Sequence, residues 1–244
     1  MKNLPAVSDE NCMKDYPEIR ANERDRLLHY VRIHPNASVL DIQAAGGFLS
    51  DKVYQNLDGQ VTCYCLEPSD IHRARLKSYH VPVNDEVENF PTIATESMDV
   101  AIGLAGLHHS NSHQSTLNEA YRALKPGGQF AVCDVVIGSN IARWLNEYVD
   151  ANCASGHKGV FVEENSLQQQ ILNAGFSNVR LSHDDVPWVF PSMQVFVSFF
   201  KGLFGLQTTL EEIERAIFDY FEPQILPDRV ILPWRLLYAT GLKG

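Results

Sequence analysis

The sequence is short of several things that would point to particular kinds of protein. Its five cysteines, Cys12, Cys63, Cys65, Cys133 and Cys153, are odd in number and form no C-x-x-C pair. That pattern argues against a disulfide framework and reads as reduced thiols in a cytoplasmic protein. Basic charge is scarce: 20 Lys and Arg stand against 30 Asp and Glu, for a net charge of −10. A nucleic-acid backbone or an anionic membrane surface is therefore a poor partner, because such binders carry a basic stripe. A cationic ligand would not be repelled. No apolar run reaches the length of a membrane span. The first residues carry Asp9, Glu10 and Lys14 without an apolar core, so they do not read as a signal peptide. The three-glycine loop G-x-G-x-x-G that cradles a dinucleotide is also missing.

What is present is a chain of 244 residues, 45% hydrophobic and 20% charged. That suits one α/β domain with an elaboration. The stretch S-V-L-D-I-Q-A-A-G-G-F-L-S-D-K, residues 38–52, reads as a short buried strand ending in Asp41 and Ile42. A turn of small residues and an amphipathic helix follow. Such a unit binds nucleotide-like groups: small residues let the backbone approach, and the helix start offers free N–H groups.

This loop resembles motif I of the class I S-adenosylmethionine (SAM) methyltransferases, a hydrophobic-hydrophobic-Asp-hydrophobic run followed by Gly-x-Gly-x-Gly. Asp41, Ile42 and Gly47 fit that pattern. Gln43 and Ala45 stand where glycines are expected. If Ala45 must adopt a left-handed backbone, it costs about 1–2 kcal/mol.

Further on, V-T-C-Y-C-L makes a second strand ending at Glu67, with Pro68 keeping the chain from closing over the site. An acid there can accept hydrogen bonds from both ribose hydroxyls of an adenosine. It can equally serve as the N-terminal charge of a helix over 69–78. After a short third strand, N-D-E-V-E-N-F-P resembles the family's acid-x-Glu-Asn-Leu-Pro segment, with Glu86 on the acid. The resemblance implies that Glu86 meets the adenine amino group and Val87 N–H a ring nitrogen, with Asp85 as the competitor for the acid's place. Gly103 and Leu104 lie at the carboxyl end of the fourth strand, where ligands bind in such sheets.

The run from Met98 to Asp134 is the closest match: M-D-V-A-I-G-L-A-G-L-H-H, then L-N-E-A-Y-R-A-L, K-P-G-G and Q-F-A-V-C-D. It is similar to the type 11, ubiquinone- and menaquinone-like small-molecule methyltransferases. The resemblance covers roughly residues 36–137. It implies a seven-stranded, mostly parallel, doubly wound Rossmann-like sheet whose last strand is antiparallel, SAM as cofactor, and a small-molecule substrate.

The expected organisation is an N-terminal segment and helix over 1–35, a cofactor-binding core over 36–183, a helical insertion over 184–228 and the last strand over 229–244. The N-terminal helix, over 16–34, has Ile19, Leu27, Leu28 and Val31 inside and Arg20, Glu23, Arg24 and Arg26 outside. In the insertion, a helix over 192–204 is apolar nearly all round. It completes the core, walls an apolar substrate pocket, or forms a dimer face or membrane-surface contact.

Methyl transfer from a sulfonium needs positioning above all. A base helps a hydroxyl or protonated amine acceptor. The candidates are His108, His109, His113, Asp134 and His157, with His109 and His157 put forward. The H-H-x-x-x-H spacing of His108, His109 and His113 has no acid close in sequence, so no metal site is expected. The departures at Gln43 and Ala45 leave an alternative: the fold is kept, SAM binding is weakened or lost, and the protein is a binding or scaffold subunit or uses the pocket for another reaction.

Overall fold

The computed structural model describes residues 16–244, so the readings on Cys12 and the acidic N-terminus lie outside the described residues. The chain runs through β1 (Ala37–Ile42), β2 (Val61–Leu66), β3 (Val81–Val83), β4 (Met98–Leu104), β5 (Leu124–Asp134) and β6 (Ser177–Asp185). It continues through β7 (Trp188–Phe190), β8 (Gln224–Leu226), β9 (Arg229–Leu232) and β10 (Arg235–Leu242). Seven strands form one sheet in the order β3-β2-β1-β4-β5-β10-β6. Its first five strands are parallel, and β10 runs antiparallel between β5 and β6. This is the expected doubly wound sheet with an antiparallel last strand.

The parallel strands are apolar along their length because helices cover both faces. Alternation sends Val39, Cys63, Val100 and Ala131 into one layer and Leu40, Leu66, Ala101 and Phe130 into the other. Strand order reverses between β1 and β4, and the crevice at that point faces the carboxyl ends of both.

The helices are α1 (Ala21–His29), α2 (Phe48–Asn56), α3 (Asp70–Arg73) and α4 (His113–Ala123), then α5 (Asn140–Arg143). The last of these continues through a π-helical stretch, Trp144–Val149, into α6 (Asp150–Asn152). α7 (Glu164–Asn173), α8 (Met193–Phe204) and α9 (Leu210–Tyr220) follow.

Four expectations are corrected. α1 is shorter than 16–34, because the chain beyond it finds tertiary partners. Tyr30 Oη donates to Asp184 Oδ2 at 2.6 Å, and the Gln129 side chain bonds both the N–H and the carbonyl of Arg32. Glu23 and Arg24 are buried rather than outside. The helix over 69–78 is a single turn, α3, capped by Ser69.

The fourth correction is that the insertion is not wholly helical. β7, β9 and β8 form a small antiparallel sheet, and the expected last strand divides at Pro233. Proline has no N–H for a ladder. The residues before it pair with β7, and Trp234 O accepts from Val186 N at 2.7 Å.

α8 starts at its Ser192 cap and ends at Gly205, whose φ is 61°. It buries Phe196, Val197, Phe199, Phe200, Leu203 and Phe204 and turns Gln194 and Ser198 to solvent. Core completion and pocket wall both describe it. The apolar face of α8 packs within the chain, while Val189, Phe218 and Ile225 elsewhere in the insertion are exposed.

Candidate active site

The site lies where β1, β4 and β5 end, under a lid made by α1 and the insertion. A cavity of about 90 Å³ is lined by Gln43, Ala45, Leu104 and Ala105 from the sheet ends and by His108, His109 and His157 from two loops. Leu203, Phe204 and Trp188 line it from the insertion, Trp234 from the segment before β10, and Arg20 and Glu23 from the start of α1.

The turn after β1 is strained by its own residues. Gln43 and Ala45 hold φ of 61° and 48°, and Gly47 holds 89°. Left-handed backbone is costly for residues with a Cβ, so Ala45 carries the penalty the sequence raised. Tertiary contacts hold it there. Ala45 N donates to Glu67 Oε2 at 2.8 Å, and Ala44 N donates to Leu66 O at 3.0 Å. Gly47 is needed for close approach: a Cβ there would stand 2.7 Å from His80 Cε1. Gly106, which sequence reasoning missed, plays the same part for Gln43. A Cβ on Gly106 would stand 2.6 Å from Gln43 Cβ.

Of the expected cofactor residues, Gln43, Ala45 and Leu104 reach the cavity. Asp41 lies beneath the loop, 1% exposed, and accepts from Ser50 Oγ at 2.6 Å. Burial pushes its pKa up to about 7 despite that hydrogen bond. Glu67 is fully buried, its two oxygens taking N–H bonds from Ala45 and Ser69 at 2.8 Å each. Burial raises its pKa, and the two N–H bonds oppose the rise. Pro68 is half-buried beside it. Beyond β3, Val87 is buried and Glu86 exposed. Asp85 is committed to Thr92 N at 2.9 Å, so of the two acids Glu86 is the one turned outward. Gly103 serves packing: a Cβ there would meet Ile42 O and Val132 Cγ1, each at 3.3 Å.

The residues suit an adenosyl ligand in their chemistry. Each Glu67 oxygen keeps a further lone pair for a hydroxyl, and the loop backbone adjoins the space. The volume is small beside the roughly 300–1,000 Å³ of small-molecule pockets. Admission therefore calls for the lid to move.

The lid is where sequence reasoning fell furthest short. Glu23 is fully buried and paired with Arg20; Trp188 Nε1 donates to it at 3.3 Å. Burial raises its pKa against the pull of Arg20. Arg20 lies 5.3 Å from the Trp188 ring and Arg24 4.8 Å from the Phe48 ring. A charged helix face buried in this way looks solvated in sequence, because Phe48 and Trp188, which cover it, lie 24 and 165 positions away from Arg24 and Glu23.

Three histidines converge on the cavity. The turn Leu107–His109 supplies two and the loop after α6 the third. Ring centroids are 4.1 Å apart for His108 and His109, and 5.4 Å for His157 to each of them. His113, grouped with them by spacing, is not part of this cluster; His157 takes its place. Asp134, distant in sequence, bonds His108 Nδ1 at 2.7 Å and accepts His108 N at 2.9 Å. Burial works to raise the Asp134 pKa, but His108 and the N–H bonds outweigh it and the net shift is downward. Burial, and then the neighbouring His108, lowers the pKa of His109 well below the ordinary value and that of His157 to about 4. Burial thus disfavours the charged form of both rings and makes them weak proton acceptors.

Residues 40–132 match the family described as a methyltransferase domain. An arsenite methyltransferase of Halobacterium salinarum is 27% identical over 64% of this chain and 41% of its own length. A 27-O-demethylrifamycin SV methyltransferase of Amycolatopsis mediterranei is 28% identical over 80% of this chain and 73% of its own. This chain thus spans under half of the first relative and about three quarters of the second. Among solved structures, a phosphoethanolamine N-methyltransferase of Haemonchus contortus, in complex with phosphomonomethylethanolamine and S-adenosylhomocysteine, has a TM-score of 0.64 at 14% identity. That match covers 91% of this chain and 52% of the other. Among the described residues no helix is long and apolar enough to cross a membrane. The matched segment is thus similar to a methyltransferase domain, and the sheet order is that of the Rossmann-like fold that the solved methyltransferase shares.

Proposed function

We propose that the protein transfers a methyl group from SAM to a small apolar or aromatic molecule. The observation that carries this reading is the shared cavity: Gln43 and Ala45 of the cofactor loop line the same space as Trp188, Trp234 and Phe204. When bound, SAM supplies an electrophilic methyl on a sulfonium. Glu67 would hold the sugar hydroxyls, the backbone of Gln43, Ala45 and Gly47 the amino-acid end, and Glu86 with Val87 N–H the adenine edge. The aromatic wall would hold the acceptor and exclude water, so that positioning does most of the work. His109 and His157 line the same cavity and would be the groups to meet an acceptor's proton, as weak bases. The Amycolatopsis mediterranei relative is a 27-O-demethylrifamycin SV methyltransferase, so its acceptor is an organic molecule.

A second reading keeps the fold without the cofactor. It is favoured by the left-handed Gln43 and Ala45, by the commitment of Glu67 to two backbone N–H groups, and by the 90 Å³ volume. Titration with S-adenosylhomocysteine separates the two. Methyl transfer predicts micromolar binding by calorimetry and a stability gain of about 2.7 kcal/mol at a hundredfold excess over Kd. No heat and no thermal shift at millimolar ligand would establish the second reading.

A further inference from the structure

We propose that His108, His109 and His157 form a binding site for a late first-row divalent cation, zinc first among them, opening onto the cavity. Their candidate ligand atoms all lie within 4.8 Å of one another. A tetrahedral zinc with Zn–N bonds of 2.0–2.1 Å sets its ligand nitrogens about 3.3 Å apart. The cluster is therefore a slightly open form of such a site, within reach of small ring movements.

The hydrogen bonds leave the ligating nitrogens bare. Asn146 Oδ1 accepts Gly159 N at 2.8 Å while its Nδ2 donates to Gly159 O at 2.9 Å. Those two bonds fix which end of the amide is oxygen. His157 Nδ1, 3.1 Å from that oxygen, must then carry the proton, and Nε2 is a free lone pair. His157 Nε2 is buried without a hydrogen-bond partner among the described residues, on a residue 3% exposed. An orphaned buried acceptor of this kind calls for an occupant.

His108 repeats the arrangement. Asp134 already accepts two backbone N–H groups, from His108 and Val135, so it faces His108 Nδ1 as an acceptor. Nε2 is the ring nitrogen of His108 that Asp134 does not engage. A carboxylate or amide oxygen behind a histidine is the outer-shell device that orients metal ligands. Here two of three rings have one.

The third ring, His109, adjoins His108 in the same turn. The loop that carries His157 is fastened by His157 N to Asp150 Oδ1 at 2.8 Å and by Val160 N to His108 O at 2.8 Å. Three imidazole nitrogens select zinc and its neighbours over magnesium or calcium. Three protein ligands with an open fourth position make a catalytic rather than a structural geometry. That position would face the cavity, where an acceptor's hydroxyl or thiol would be polarised.

The site rests on the histidine geometry, not on the methyl-transfer reading, so metal binding is measured without SAM. Metal-free protein is titrated with cobalt(II), read by its visible ligand-field absorption, and with zinc(II) by competition. One equivalent is expected to bind. His157→Ala and His109→Ala are expected to weaken cobalt binding at least about 100-fold, and Asn146→Ala, which leaves all three rings in place, about 10–100-fold. His113→Ala is expected to bind as the parent does. Thermal melts of each variant identify any that fail to fold, and Asn146→Ala then carries the comparison. No ligand-field band at millimolar cobalt would overturn the proposal. So would a band that survives His157→Ala and His109→Ala, or one lost with His113→Ala alone.

Discussion

Glu67 Oε2 accepts the backbone N–H of Ala45 at 2.8 Å, tying the end of β2 to the loop that follows β1. The other oxygen takes Ser69 N at the same distance, so one carboxylate organises both walls of the crevice. Glu67→Gln keeps the size but turns an NH₂ toward one of these N–H groups. A stability loss of about 1–3 kcal/mol is expected, the cost of a buried donor left unmatched. Urea unfolding reads it. Affinity for S-adenosylhomocysteine should fall at least tenfold, roughly the 1.4 kcal/mol of one hydrogen bond to a charged group.

Ala45→Gly should relieve the left-handed backbone at φ 48°. The relief is about 1–2 kcal/mol, offset by about 0.4–1 kcal/mol for the freer unfolded chain. A net gain of about 0–1.6 kcal/mol is expected, with ligand affinity equal or tighter. A lowered melting temperature would show that the alanine methyl makes packing contacts worth more than the strain.

Asp41 predicts a pH dependence of stability. In the folded protein it keeps its proton up to about pH 7, whereas an unfolded aspartate loses it near about 3.9. Between these values the unfolded chain binds fewer protons, so stability falls as pH rises and is flat on either side. At 1.36 kcal/mol per unit the loss is on the order of 4 kcal/mol as an upper bound. Asp41→Asn keeps an acceptor for Ser50 Oγ and removes this slope. Unfolding free energies of parent and variant across pH 4 to 7.5 should diverge, with the variant gaining relative to the parent at the higher pH. Parallel curves would exclude a protonated Asp41.

Trp188 stacks on Trp234 with ring centroids 4.3 Å apart and is 2% exposed. Trp188→Ala should cost about 3–5 kcal/mol in chemical unfolding. The space released adjoins the cavity, so a folded variant should bind bulkier aromatic ligands than the parent in a fluorescence competition assay. Unchanged ligand size selection would place the acceptor elsewhere.

Local chemistry made much of the protein legible. The runs V-L-D-I and V-T-C-Y-C-L, the acid at Glu67, the L-H-H turn and the Ser192 to Gly205 helix limits are local signals: periodicity, caps and turn residues act within a few positions. They determined the strands of the core and the place of the crevice, while the doubly wound seven-stranded sheet was implied by the family resemblance these runs carry.

The tertiary structure alone decided what closes that crevice and which side chains meet inside it. Glu23 and Arg24 looked like a solvated helix face until Trp188 and Phe48 were folded against them. His157 joined His108 and His109, and Asp134 came behind His108 across 26 positions. Burial and long-range partners set these outcomes, because a side chain's desolvation and the orientation of its hydrogen bonds depend on neighbours that sequence spacing does not encode.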